Sequence, residues 1–254
     1  MTYERQTKIT RVIIKAAVLM LEHGAESILV EQTAQRLGKA LGVRSVEVSL
    51  IPSAIVLSTL DENRQSVTTT RRVHHKAINM SMVCDLQKIV IDTEKNSYDI
   101  EFVKKGLKEL KPNYYNRWLI VLMVGFACAS FAVLQGANLI SFLITFIASS
   151  FGMFIRQELS KRNFVQIIIF GVTAFSVTSI SSISYLFPSA NTNIVLASSV
   201  ILLVPGFAFV NSFLDALKGY LSMGWGRWLE GTLLTVATSI GIILAMTVLN
   251  IKGW

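Results

Sequence analysis

The residues best suited to chemistry begin at Leu203-Val204-Pro205-Gly206-Phe207 and continue as Asn211, Asp215, Lys218, Gly219, Gly224 and Arg227. Pro205-Gly206 interrupts a long uncharged run. Proline removes a backbone donor and clashes with the preceding turn, and glycine adds freedom. A break of this kind starts a second half-helix whose first N–H groups lack helical partners. That is an anion site in waiting, and secondary transporters use it near the middle of the bilayer. The competing reading is a plain kink that neighbouring helices repair. Asp215 is placed to pair with Arg227 or Arg156, or to couple to protons; as an interfacial charge it also serves to keep a loop in water. Asn211, one turn earlier, suits a hydrogen bond to a substrate or to another helix.

Other groups carry weaker signals. Thr173, Ser176, Thr178, Ser179, Ser181, Ser182 and Ser184 crowd one apolar stretch. Thr173, Ser176 and Ser179 recur every three residues, which fits a polar path or close helix packing through small residues. Gly24-Ala25-Glu26-Ser27 reads as the end of one helix and the cap of the next, with Glu26 as a further functional candidate. His74-His75 suggests a metal, but adjacent histidines in a strand point to opposite faces. No Walker A, G-x-S-x-G, HExxH or CxxC motif is present. Neither an ATP motor, a metal centre nor a cofactor is expected, and the chain is not read as an enzyme.

The elements that position these residues follow from composition. Mean hydropathy is +0.53 and charged residues make up 16% of 254, below the quarter or so usual for soluble domains. Residues 1–117 hold 18 Lys+Arg and 13 Asp+Glu, while residues 118–254 hold 6 and 3. The first part reads as a soluble domain and the second as lipid-solvated. No basic–aromatic surface pattern accompanies the net charge of +8, so nucleic acid is not an expected partner. Cys84 and Cys128 fall in different phases and predict no disulfide. No signal peptide is visible, since Lys15 interrupts Val12–Leu21 and Glu22-His23 follow it.

Uncharged runs predict five spans at about 118–135, 138–155, 164–187, 194–214 and 230–250, with turns at Gln135–Asn138 and Phe187–Asn193. Arg156, Lys161, Arg162, Lys218 and Arg227 lie in alternate loops. Together with the collar Lys104, Lys105, Lys108, Lys111 and Arg117, they place the N-terminus in the cytoplasm and the C-terminus, with Lys252, outside.

In the first 117 residues the pattern predicts α-α-β-β-β-α-α. Ile9, Val12, Ile13, Ala16, Ala17 and Met20 form a helical stripe, and a second helix runs from about Ser27 to Leu41 before Gly42. Strands are expected at Val46–Leu50, Ala54–Leu60 and Ser66–Val73, with a turn at Asp61–Arg64. Helices are expected through Ile78–Thr93 and Ile100–Leu110. The fold class is therefore a membrane all-α bundle of five transmembrane helices preceded by a small soluble α+β domain with an antiparallel sheet.

This order, with Gly24-Ala25-Glu26-Ser27, Arg156-Gln157 and Pro205-Gly206…Asn211…Asp215…Lys218-Gly219…Gly224…Arg227, resembles the threonine/serine exporter (ThrE) family and, within it, the YjjP branch. The resemblance continues through Leu233–Thr238 and Ala245-Met246-Thr247 to Gly253-Trp254. It implies a five-span chain, where long members carry ten, acting with a smaller, separately encoded membrane partner (YjjB-like) in a bacterial inner membrane to export succinate. Threonine or serine is the rival substrate. A dianion suits the half-helix start at Pro205-Gly206 and the guanidinium forks of Arg156 and Arg227. Glu26, Lys218 and Gly219 are gating or interdomain candidates. Five spans are few for a closed route, so a partner or a higher oligomer is expected on physical grounds. Two readings of another class remain: a membrane-anchored hydrolase using Glu26, His74 and His75, and a sensor whose N-terminal domain reads a cytoplasmic ligand.

The topology predicts that a cysteine at Ser189 reacts with a membrane-impermeant thiol reagent in intact cells; protection there would reverse the orientation.

Overall fold

The computed structural model describes residues 2–74, 78–96 and 98–251. The chain forms two compact units. One comprises Met1–Tyr114 with Phe209–Trp228, the other Tyr115–Ala208 with Leu229–Trp254.

The first unit opens with helices α1 (Tyr3–Glu22) and α2 (Ser27–Ala40). Every residue of the predicted α1 stripe is buried, while Lys15 on the other face is exposed. Gly24 and Gly42 end the two helices with φ of +92° and +86°, a conformation that favours glycine. Strands β1 (Ser45–Ile51), β2 (Ala54–Leu60) and β3 (Ser66–Arg72) form an antiparallel sheet in the order β1-β2-β3. Val48 faces Leu57, and Leu57 faces Thr69. The β2–β3 turn is closed by the Asp61 carboxylate, which accepts from the Gln65 N–H at 2.9 Å. The Thr-rich segment is thus a strand, and the small sheet near the N-terminus is antiparallel as expected.

Helix α1 is pinned to the sheet by polar contacts as well as by packing. The Gln6 amide donates to the carbonyls of Thr59 (3.0 Å) and Gln65 (2.9 Å). The Thr10 and Thr59 hydroxyls meet at 2.7 Å. Gly38 lets α2 approach β1, because a Cβ there would lie 2.2 Å from Val46. Helices α3 (Met80–Asn96) and α4 (Ile100–Glu109) complete the core with Val83, Leu86, Val90, Val103 and Leu107. Ile78, read from its spacing as the first helical residue, lies before α3 and is exposed. Arg36 clasps Glu94 with its Nε 2.8 Å from Oε1, holding that carboxyl below its ordinary range chiefly through this hydrogen bond.

The second unit contains α5 (Arg117–Leu134), α6 (Leu139–Lys161), α7 (Gln166–Ser181) running into a 3-10 turn to Leu186, α8 (Thr192–Ser199) with a 3-10 turn at Ile201–Leu203, and the later part of α10 (Leu221–Val248). Asn138 caps α6 by accepting from Ser141 N at 2.9 Å, and Gly136 (φ +91°) makes the turn before it. The outward faces are greasy: Trp118, Leu119, Leu122, Met123 and Phe126 on α5 are all exposed. Such a surface belongs in lipid. Among the described residues, four helices are long and apolar enough to cross a membrane: Arg117–Leu134, Leu139–Lys161, Gln166–Leu186 and Leu221–Val248. A fifth crossing exists if the broken pair Thr192–Leu203 and Gly206–Leu217 counts as one. The protein is a mostly helical, multi-pass membrane protein.

Small residues set the helix spacing in this unit. A Cβ on Gly125 would lie 2.0 Å from Ser150 Oγ, on Gly152 2.2 Å from Val177, and on Gly241 2.3 Å from the Gly171 carbonyl. Lipid supplies little hydrophobic drive between helices, so this close contact is what holds them. Gly241→Ala is predicted to destabilise the protein by about 1–3 kcal/mol through overpacking. It should lower the thermal midpoint in detergent, whereas Gly206→Ala, which meets nothing within 4 Å, should leave the midpoint where it is.

Candidate functional site

The residues singled out by type and spacing fall into two sets, one in each unit.

In the first unit the end of helix α9 (Gly206–Leu217) and the start of α10 form a hairpin over Phe209–Trp228. Gly219 turns it at φ +88°. Gly224 lets the arms close, because a Cβ there would sit 2.8 Å from the Ser212 carbonyl. The Ser212 hydroxyl donates to the Gly224 carbonyl at 2.7 Å. This face carries Asp215, which is fully buried. One Asp215 oxygen accepts from the backbone N–H of Ser27, the first residue of α2, at 3.1 Å. The other lies 3.1 Å from Arg227 Nη1. Arg227, with its side chain 14% exposed, also donates to the Ala25 carbonyl at 2.9 Å.

Asp215 therefore caps α2, although 188 residues separate it from Ser27. Glu26 occupies the capping position without making the side-chain bond, so the expectation that Gly24–Ser27 caps its own helix is corrected. Glu26 instead pairs with Lys218. Tyr220 donates to the Glu31 carboxylate at 2.5 Å. Partial burial, followed by that bond and the charge on Glu31, pushes the Tyr220 hydroxyl above its ordinary range and keeps it a donor. Met223 joins the core of this unit, and Gly226 brings α10 against Pro52 in the β1–β2 turn. Asn211 is buried, and its amide nitrogen has no hydrogen-bond partner among the described residues.

The second set lies in the other unit. After the Ile201–Leu203 turn, Val204 is extended (ψ 119°) ahead of Pro205, as the proline ring demands. The backbone N–H of Gly206 donates to the Val204 carbonyl at 2.9 Å and that of Ala208 to Pro205 at 3.1 Å. Part of the expected N–H array at the start of α9 is thus already used. Arg156 donates to the Leu202 carbonyl at 3.1 Å and lies over the Phe170 ring at 4.8 Å. Of the alternatives for Asp215, the Arg227 pairing is the one formed.

The hydroxyl pattern is also corrected. Thr173 is buried, but Ser176 and Ser179 are only half-buried and bond back to the carbonyls of Val172 and Phe175. A three-residue step drifts around a 3.6-residue helix, and the inward hydroxyls are Thr173, Thr178, Ser181 and Ser184. His74 lies just beyond β3, not in it, and its backbone N–H donates to Glu22. His75 and the closing Lys252, Gly253 and Trp254 lie outside the described residues. Among the described residues, no group of three His, Cys, Asp or Glu is placed to hold a metal ion. Cys84 and Cys128 are free.

Sequence reasoning missed Ser27 N–H, Tyr220, Glu31 and Pro52. The capping partner is far away in the chain and had no local signal; Gly226 beside Arg227 was the available hint of a close approach.

Residues 11–249 match the family described as "Putative threonine/serine exporter". The chain belongs to the ThrE family. Over its full length it is 42% identical to the "Probable succinate transporter subunit YjjP" of Escherichia coli strain K12, all of which is covered. It is 43% identical to a protein of the same description from Klebsiella aerogenes, over 98% of this chain and 97% of that one. A "Probable threonine/serine exporter" of Mycobacterium tuberculosis is 22% identical over 94% of this chain but 46% of its own length. No solved structure matches the chain. As a ThrE member it is a membrane transport protein, and exporter function fits its apolar helices.

Removing one partner of a buried ion pair costs about 3–5 kcal/mol, whereas removing both costs much less. Asp215→Asn or Arg227→Gln alone should make the 209–228 hairpin sensitive to protease, and the double replacement should recover much of the protection. A double-mutant cycle on thermal stability should give a coupling of about 1–3 kcal/mol.

Proposed function

We propose that this ThrE member is the larger subunit of a two-part exporter of a small dicarboxylate, succinate, in a bacterial inner membrane. The observation that carries the reading is full-length identity of 42–43% to two proteins described as succinate transporter subunits. In this reading the chain crosses the membrane five times, with Thr192–Leu217 as one broken span. Residues 1–117 lie in the cytoplasm, 118–254 form the membrane domain, and the C-terminus is outside. A smaller YjjB-like membrane subunit completes the route. Pro205, Gly206, Asn211, Asp215, Arg156 and Arg227 contribute to translocation, and Glu26, Lys218 and Gly219 to gating.

Two features support the chemistry. A dianion leaving the cytoplasm needs cationic or N–H donors, and each unit offers an arginine beside a helix start or break. The hairpin 209–228 ties chain that follows the Pro205 break to the α1–α2 turn through Asp215, Arg227 and Lys218. Threonine or serine as substrate is favoured by one observation, the description of the family itself.

The test is succinate efflux from cells lacking their own exporters, with this chain alone, with its smaller partner, and with neither. Efflux is expected only when both are present. Export of threonine or serine in place of succinate would transfer the function to the rival substrate, and export by this chain alone would remove the partner.

A further inference from the structure

The two arginines are not equivalent. Arg227 faces Asp215 at 3.1 Å and the Ala25 carbonyl, so its charge is answered within its own unit. Arg156 has no such partner. It lies in α6, a helix apolar enough to cross a membrane, and is half-buried. Among the described residues no carboxylate is within ion-pair distance of it. The nearest acidic residue along its helix, Glu158, is held by Arg117 at 3.0 Å and by Arg162 at 3.8 Å. Arg156 makes one neutral hydrogen bond, to Leu202, and one ring contact, to Phe170. A guanidinium has five N–H donors, and most of this fork is uncommitted.

The surroundings of Arg156 fit an anion. Leu202, whose carbonyl it holds, lies two residues before Val204 at the Val204-Pro205 break, where backbone regularity is lost. Gly152, one turn before Arg156 on α6, lies beside Thr173 and Leu202: a Cβ there would be 3.6 Å from Thr173 Cγ2 and 3.7 Å from Leu202 Cδ2. The Thr173 hydroxyl is fully buried and has no hydrogen-bond partner among the described residues. An unanswered cation thus holds the Leu202 carbonyl at a broken helix, and the Thr173 and Leu202 side chains both lie near Gly152, one turn before the arginine on α6. An ionisable side chain in a membrane helix is costly unless something neutralises it, and such residues mark substrate routes.

We infer that Arg156, beside the broken helix at Leu202–Gly206, binds a carboxylate of the exported anion, while Arg227 acts as the internal counter-charge that holds the 209–228 hairpin to α2. This rests on the carboxylate reading above and divides the work between the two arginines.

The test uses the purified complex of the full chain with its smaller partner in detergent, and reads the thermal midpoint against rising potassium succinate, with potassium chloride at matched ionic strength as reference. Succinate should raise the midpoint of the unaltered complex. Arg156→Gln should raise the half-saturating concentration by about tenfold or more, the loss expected for one charge-assisted contact. Arg156→Lys, which keeps the charge but not the fork, should fall between. Arg36→Gln, which removes a surface cation far along the chain, should shift like the unaltered complex. Arg227→Gln should lower the midpoint already without succinate.

A succinate response in Arg156→Gln equal to that of the unaltered complex overturns the assignment. So does loss of the smaller partner from that variant on purification, which would mean that Arg156 meets a carboxylate of the partner instead. No response in the unaltered complex removes the dicarboxylate reading itself, and the assignment with it.

Discussion

A carboxylate sealed from water must find opposite charge and hydrogen-bond donors, and Asp215 finds them in places that the chain order keeps apart. The α2 N-terminus offers the Ser27 N–H and the positive end of a helix dipole. Arg227, across the hairpin, offers a guanidinium. One interaction therefore does three things. It caps a helix of the N-terminal domain, it closes the α9–α10 hairpin, and it joins the two. The glycines at 219, 224 and 226 follow from it: the hairpin reaches this arrangement only if its turn is left-handed, its arms touch and its second arm clears Pro52. Tyr220 and Lys218 reinforce the same docking through Glu31 and Glu26.

The lipid-solvated unit obeys a different rule. Its helices gain nothing by hiding apolar surface from one another, so large apolar side chains face outward and small residues face in. Gly125, Gly152, Gly171 and Gly241 bring backbones close, while Phe126, Leu143 and Ile147 remain exposed. Inward hydroxyls at Thr173, Thr178, Ser181 and Ser184 are compatible with this packing because they are small. They also leave polar groups at depth, where an unpaired one is costly. Ser199 shows the cheap solution, donating to the carbonyl one turn back at Val195; Thr173 has not taken it.

The contrast between Arg156 and Arg227 comes from the same physics. Both are forks suited to carboxylates. One is neutralised by its own unit, and among the described residues the other is met by a carbonyl and a ring. A charge without a counter-charge, in a helix suited to lipid, is a place for something not carried by this unit.

Periodicity and composition by themselves determined much of this protein. The α-α-β-β-β-α-α order, the glycine stops at 24 and 42, the Asp61–Arg64 turn and the uncharged runs all depend on neighbours within a few residues, where a 3.6- or 2-residue repeat records which face is buried. The break at Pro205 was equally legible, since a proline acts on its own turn. Tertiary structure alone decided what Asp215 caps, which arginine it neutralises, that Glu26 meets Lys218, and that Ser176 and Ser179 stay half-buried while Thr173 is sealed in. Those outcomes depend on partners up to 192 residues away and on the drift of a three-residue step around a real helix. Local spacing holds no record of either, because a charge is satisfied by whatever the fold places beside it.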